Sequence, residues 1–177
     1  MLTTHRIHEL FDSLNEELGK RQVCGEVYLA GGAVMCLVFQ ARQATKDIDA
    51  MLVPPSEIRA AAQAVASKEG IPGDWLNDAV KGFFSEHGIF EVFEERSNLR
   101  IYAPHPGYLL AMKCLALRLG EEFQDLQDVT FLVRELGLRS VAEAESILSQ
   151  YYELARYPAK ARYVLEELLA TPGSNAL

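Results

Sequence analysis

Two aspartates separated by one residue, Asp47 and Asp49, are the first place where this sequence offers chemistry. Residues 48–53 form a short apolar block closed by Pro54-Pro55, which predicts a strand. Residues two apart in a strand project from one face, so the two carboxylates aim at one point with Cα atoms ~6 to 7 Å apart. Like charges that close raise one another's proton affinity unless a cation joins them. Hard cations with oxygen ligands are the usual answer, and magnesium fits this pattern. Upstream, Val27-Tyr28-Leu29-Ala30 reads as a buried strand that runs directly into Gly31-Gly32 and then a short helix over residues 33–40. Such a turn presents backbone N–H groups and a helix N-terminus with no side chain in the way, a device for holding phosphate. Either half alone is an ordinary feature, since glycine pairs commonly make tight turns and Asp-x-Asp pairs occur on solvated edges. Their succession in one stretch of chain is the more specific signal.

The elements that must position this stretch follow from periodicity. Ile7, Leu10, Phe11, Leu14 and Leu18 make the stripe of an amphipathic helix beginning at residue 3 or 4 and stopping at Gly19. Ser56 stands where it could cap an Ala-rich helix over residues 57–69 that ends at Gly70, and residues 75–84 read as a further helix, with Trp75 as a core anchor. Residues 89–94 and 99–103, joined by Arg96-Ser97-Asn98, predict a hairpin. After Pro104-His105-Pro106 the strand signals cease. Helices are predicted over residues 108–119 and 123–136, from the capping box Ser140/Glu143, and from Pro158, before a frayed tail at 171–177. The predicted class is α+β: a mixed α/β core over residues 1–104, a small mixed sheet flanked by helices, with a helical extension over 105–177 packed on it to fold as one unit.

Composition narrows the rest. The 177 residues are 49% hydrophobic and 24% charged, an ordinary globular balance that excludes a disordered or collagen-like chain. Seventeen Lys and Arg against 25 Asp and Glu leave a formal net charge of -8. That balance argues against a sequence-blind grip on a nucleic-acid backbone while leaving room for one basic patch. No run approaches the ~20 apolar residues of a membrane span, and the N-terminus lacks the apolar centre of a secretory signal, so the expected setting is cytoplasmic with no membrane partner. Cys24, Cys36 and Cys114 lack a CxxC spacing and read as buried, reduced packing residues. His5, His8, His87 and His105 form no zinc-ligand pattern. The glycine pair also lacks the G-x-G-x-x-G spacing of a dinucleotide fold.

Ala30-Gly31-Gly32, fourteen intervening residues (33–46), and then Asp47-Ile48-Asp49 resemble the signature of the polymerase-β type nucleotidyltransferase superfamily. Arg42-x-x-Thr45-x-Asp47-Ile48-Asp49 is more closely similar to a bacterial group of uncharacterised or toxin-antitoxin-associated members, the abortive-infection toxins among them. Trp75-Leu76-Asn77-Asp78 resembles a segment of that group, as do Leu109-Leu110-Ala111-Met112-Lys113 and the following Ala116, Arg118, Asp125 and Asp128. The resemblance covers about residues 25–136. It implies that Gly31 and Gly32 help hold a nucleoside triphosphate and that Asp47 and Asp49 bind catalytic Mg²⁺. Lys113 would neutralise triphosphate oxygens, Asp125 and Asp128 would orient Lys113 or contact substrate, and Thr45 and Arg42 would steady the loop or the phosphates. Read without the resemblance, Lys113 could equally snorkel to solvent, and Asp125 with Asp128 could be a solvated helix face.

The implied reaction moves a nucleoside monophosphate from an NTP to a hydroxyl of an RNA end, a protein or a small molecule, and the toxin-antitoxin resemblance implies a cognate antitoxin as partner. Active members of the superfamily usually carry a third carboxylate on a later strand. Glu91, Glu94 and Glu95 lie at that part of the chain, but the alternation leaves open which face meets the aspartates, and residues 99–103 contain no acid. The competing expectation is therefore a non-catalytic NTP-binding or antitoxin-like partner protein on the same fold.

Overall fold

Thr3 opens the first helix: its hydroxyl accepts the Arg6 N–H at 3.3 Å, and α1 (Thr4–Lys20) follows with Ile7, Leu10, Phe11, Leu14 and Leu18 buried. The computed structural model describes residues 1–120 and 123–170, and among these the chain is a mixed α+β protein. Two compact units are present. One comprises Met1–Phe84 with Phe90–Pro104, and the other comprises Ser85–Ile89 with the described residues from His105 onward.

The first unit is built on a five-stranded sheet. Its strands are β2 (Gly25–Leu29), β4 (Ile48–Val53), β5 (Leu76–Asn77), β6 (Phe90–Glu95) and β7 (Leu99–Pro104), in the order β5-β4-β2-β7-β6. The β2/β4 and β6/β7 pairs are antiparallel; β2/β7 and β4/β5 are parallel. Alternation separates the faces cleanly. Val27, Leu29, Ile48, Ala50, Leu52, Leu99 and Ile101 are buried on one face. This is the side on which α1 and α3 (Pro55–Glu69) lie, for a Cβ on Gly25 would meet both Leu18 and Ile58. Glu26, Tyr28, Asp49, Met51 and Tyr102 take the other face and are half-buried.

In the first unit these local outcomes differ from the periodicity reading. The helix after the glycine pair, α2 (Gly31–Leu37), starts at Gly31 itself and ends three residues earlier than expected. Helix α3 begins at Pro55 with no side-chain cap, because a proline at the first helical position already has the required φ and lacks an N–H to satisfy. Residues 75–84 are not one helix. Leu76–Asn77 pair with β4 as an edge strand, and a 3-10 turn follows at Ala79–Phe83. Trp75 is the anchor, 2% exposed, with its indole N–H donating to the Ala62 carbonyl at 3.0 Å and its own carbonyl accepting the Ile48 N–H at 2.8 Å. A backbone ladder to β4 offers more than an isolated helical turn, so tertiary pairing overrides local propensity. The short pair β1 (Leu2–Thr3) with β3 (Ala44–Thr45) has no sequence signal, since two residues are too few to show alternation.

The second unit is helical: α4 (Pro106–Leu115), α5 (Asp125–Glu135), α6 (Val141–Leu148) and α7 (Ala159–Leu169). Residues Gly107–Cys114 of α4 are all buried, so the helix is its centre. Ser85–Ile89 joins it through Tyr108, whose hydroxyl accepts the Ser85 N–H at 2.8 Å, while the Ser85 hydroxyl donates to the Tyr151 carbonyl at 2.5 Å. Gly88 lies against the Tyr108 ring so closely that a Cβ would fall 2.6 Å from it. At α6, Ser140 accepts the Glu143 N–H as predicted, and the Glu143 carboxylate reaches one residue further, to the Arg139 N–H. Of the cysteines, all are free thiols; Cys36 and Cys114 are buried but Cys24 is exposed, a correction that follows from its place in the turn before β2. No helix among the described residues is long and apolar enough to cross a membrane.

Candidate functional site

Asp49 lies on the half-buried face of β4, and Asp47 immediately precedes that strand; the alternation half-buried, buried, half-buried runs through Asp47, Ile48 and Asp49. The glycine pair meets this segment directly. Gly31 has φ +63°, and a Cβ there would fall 2.9 Å from Asp49 Oδ2. A Cβ on Gly32 would fall 2.7 Å from Thr45 Oγ1 and 3.0 Å from Arg42 Nη1. A Cβ at either glycine would thus displace the side chain beside it, and Gly31 also has the left-handed backbone conformation that favours glycine. The Ala30 N–H donates to the Asp49 carbonyl at 2.8 Å, which fixes the start of α2 relative to β4. Thr45 is 5% exposed and donates its hydroxyl to the Asp47 carbonyl at 3.1 Å, bracing the bend that carries Asp47. Residues Gly31, Gly32, Arg42, Thr45 and Asp49, far apart as 31 and 49 are in sequence, form one cluster.

The three glutamates considered for a third carboxylate do not join it. The β6/β7 register pairs Glu91 with Ala103 and Glu94 with Ile101, whereas Glu95 pairs with Arg100; a bulge between Val92 and Glu94 sets this phase. Glu91 and Glu94 therefore share the face of buried Ile101. Glu94 is bound by Arg96 at 2.5 Å and His8 at 2.9 Å. Glu95 is on the Asp49 face but on β6, three strands from β4, which at ~4.8 Å per strand is about 14 Å across the sheet. It is ion-paired with Arg100. Glu26, the acid on β2, pairs with Val53, four residues along β4 from Asp49, and accepts the hydroxyls of Tyr28 at 2.8 Å and Tyr102 at 3.3 Å.

Lys113, Asp125 and Asp128 belong to the second unit, where they make a buried charge cluster. Their exposures are 8%, 4% and 2%, so neither snorkelling nor a solvated helix face describes them. The Lys113 ammonium lies 2.7 Å from Asp128 Oδ2 and 3.3 Å from Asp125 Oδ1. Asp125 Oδ2 also accepts the Arg118 backbone N–H at 3.1 Å and its Nε–H at 2.9 Å. Burial by itself would raise the Asp125 pKa, but the Arg118 hydrogen bonds and the charges of Lys113 and Arg118 outweigh it and hold the carboxyl below its ordinary value. The Arg118 guanidinium stacks on Phe123 at 4.6 Å.

Two further motif residues have definite places. Arg118 completes the Asp125 clasp, and Asn77 stands beside Asp49 on the parallel strand β5. The sequence signal for Asn77 was its short segment with Trp75; nothing in periodicity shows which strand that segment joins. No group of three or more His, Cys, Asp or Glu among the described residues is arranged to hold a metal ion. Asp47 and Asp49 supply carboxylate oxygens alone, a donor set that suits Mg²⁺ completed by water and phosphate oxygens rather than a cage made wholly of protein. No family model, curated protein or solved structure matches the chain.

Proposed function

We propose that the protein is an Mg²⁺-dependent nucleotidyltransferase that transfers a nucleoside monophosphate from an NTP to a hydroxyl of an RNA end, a protein or a small molecule, in a toxin-antitoxin setting. The observation that carries this reading is the approach of Gly31 to Asp49, which sets a backbone turn without side chains against a carboxylate at the start of α2. Phosphate oxygens suit the first, and a divalent cation suits the second. Arg42, beside Gly32, is the cation of the same unit that this reading assigns to the phosphates. Bound Mg²⁺ would supply charge neutralisation of the phosphates and a lowered pKa for the attacking hydroxyl. Asp47 and Asp49 would hold it, and Thr45, which donates to the Asp47 carbonyl, keeps Asp47 in place.

The second reading, a non-catalytic NTP-binding or antitoxin-like partner protein, is favoured by one observation: Glu91 and Glu94 take the face opposite Asp49, and Glu95 lies three strands away from it. Incubation with labelled NTPs, Mg²⁺ and candidate acceptors separates the two. The first reading expects pyrophosphate release and label transfer in the wild type that vanish in Asp49→Ala. Equal transfer by both proteins overturns the assignment, and Mg²⁺-dependent NTP binding without turnover selects the second reading.

A further inference from the structure

The strands flanking β4 place Ala30 and Asn77 beside Asp49, and only Asn77 has a polar side chain. Asp49 and Asn77 are register partners in the parallel β4/β5 pair, so their side chains share a face on strands ~4.8 Å apart. Asn77 is held firmly there. Trp75, two residues before it, is anchored to Ala62 and Ile48, and Asp78, the next residue, is bound by Arg59 at 2.7 Å. Its own side chain is oriented as well, because Oδ1 accepts the Ala79 N–H at 3.2 Å. A backbone N–H can be met only by the amide oxygen, so the two N–H donors of Nδ2 point away from Ala79.

We infer that Asn77 is a nucleotide-binding residue of this site, its amide N–H group donating to a phosphate oxygen of an NTP held at Asp47 and Asp49. The inference rests on the reading of Asp49 as a metal ligand. Charge supports a donor here rather than another acid. Asp47 and Asp49 together carry two negative charges, which one Mg²⁺ neutralises, whereas a third carboxylate next to Asp49 would repel both its neighbour and the incoming phosphates. A neutral donor beside a metal-bound carboxylate meets a phosphate oxygen without that repulsion.

Asn77→Asp is the informative substitution, since it keeps the shape and the oxygen that accepts the Ala79 N–H while replacing the donor by negative charge. Binding of ATP, GTP, CTP and UTP, each with Mg²⁺, is to be measured calorimetrically for the wild type, Asn77→Asp, Asn77→Ala and Asp49→Ala. Mn²⁺ binding without nucleotide, read by electron paramagnetic resonance, reports on the metal site separately. The expected result is at least a tenfold weaker NTP affinity in Asn77→Asp, a smaller loss in Asn77→Ala, and Mn²⁺ binding retained in both. NTP affinity in Asn77→Asp equal to or tighter than the wild type overturns the inference while leaving the site intact. A wild type whose NTP binding depends on neither Mg²⁺ nor Asp49 overturns the reading of the site and the inference together.

Discussion

Gly31 and Asp49 lie in close approach: the glycine has φ +63°, and a Cβ added there would stand 2.9 Å from Oδ2. That one approach couples the end of β2, the start of α2 and the face of β4, and it makes the glycine as much a part of the candidate site as the aspartate. Gly70, with φ +65°, has nothing within 4 Å of its would-be Cβ and serves as the matching control. Gly70→Ala incurs only left-handed backbone strain, about 1 to 2 kcal/mol. Gly31→Ala is expected to cost measurably more than Gly70→Ala in urea unfolding, by displacing Asp49, and to weaken Mn²⁺ binding where Gly70→Ala does not. Equal costs and unaltered Mn²⁺ binding would remove the coupling.

Lys113→Met leaves the Asp128 carboxylate buried without its ammonium partner. Breaking a buried pair from one side typically costs about 3 to 5 kcal/mol, chiefly because a charge is left uncompensated. Lys113→Met with Asp128→Asn is then expected to recover part of that loss, since the asparagine carries no charge to strand. Chemical denaturation of the three proteins checks the ordering, and a double variant no more stable than Lys113→Met contradicts it.

Acid stability should depend on Asp125. Its pKa is lowered in the folded protein from the ordinary 3.8, so as pH falls the unfolded chain takes up this proton before the folded one does. The Asp125 contribution is fully present above the unfolded pKa and is lost as pH falls from there through the folded value. Unfolding free energy measured from pH 6 downward is expected to fall below about pH 4. Asp125→Asn should be less stable at pH 6 and should show a shallower decline; an unchanged slope would exclude Asp125 as a source of the acid sensitivity.

Thiol reactivity provides a test of the cysteine environments. Cys24 is exposed, whereas Cys36 and Cys114 are buried, and burial pushes the Cys114 thiol up to about 12. A thiolate-specific reagent at pH 8 is expected to modify Cys24 rapidly and the other two only in denaturant, with the modified positions read by peptide mass spectrometry. Rapid labelling of Cys114 in the native protein would contradict its burial.

Much of the candidate site is legible in sequence because its elements are local. A strand entering Gly31-Gly32 and a strand carrying Asp49 each declare themselves within a few residues, and the stripe of α1 does so by period. Lys113, Asp125 and Asp128 stand in a recognisable motif, yet their burial is not legible in sequence, because a lone charged residue on an apolar helix looks the same whether it snorkels or is clasped. The phase of the glutamates was hidden by the bulge at residues 92–94, which flips the alternation after it. Residues 75–84 misled because an edge strand of two residues shows no period of its own.

By itself, then, the sequence determined the α+β class, the apolar faces of α1, β2 and β4, and the residue types able to hold phosphate and a hard cation. Those follow from short-range pattern and side-chain chemistry. Only the tertiary structure decided that Gly31 touches Asp49, that Asn77 rather than a glutamate stands beside it, and that Lys113 is enclosed by two aspartates. Register, bulges and the choice of neighbouring strand are set by contacts between residues distant in the chain, and no local pattern encodes them.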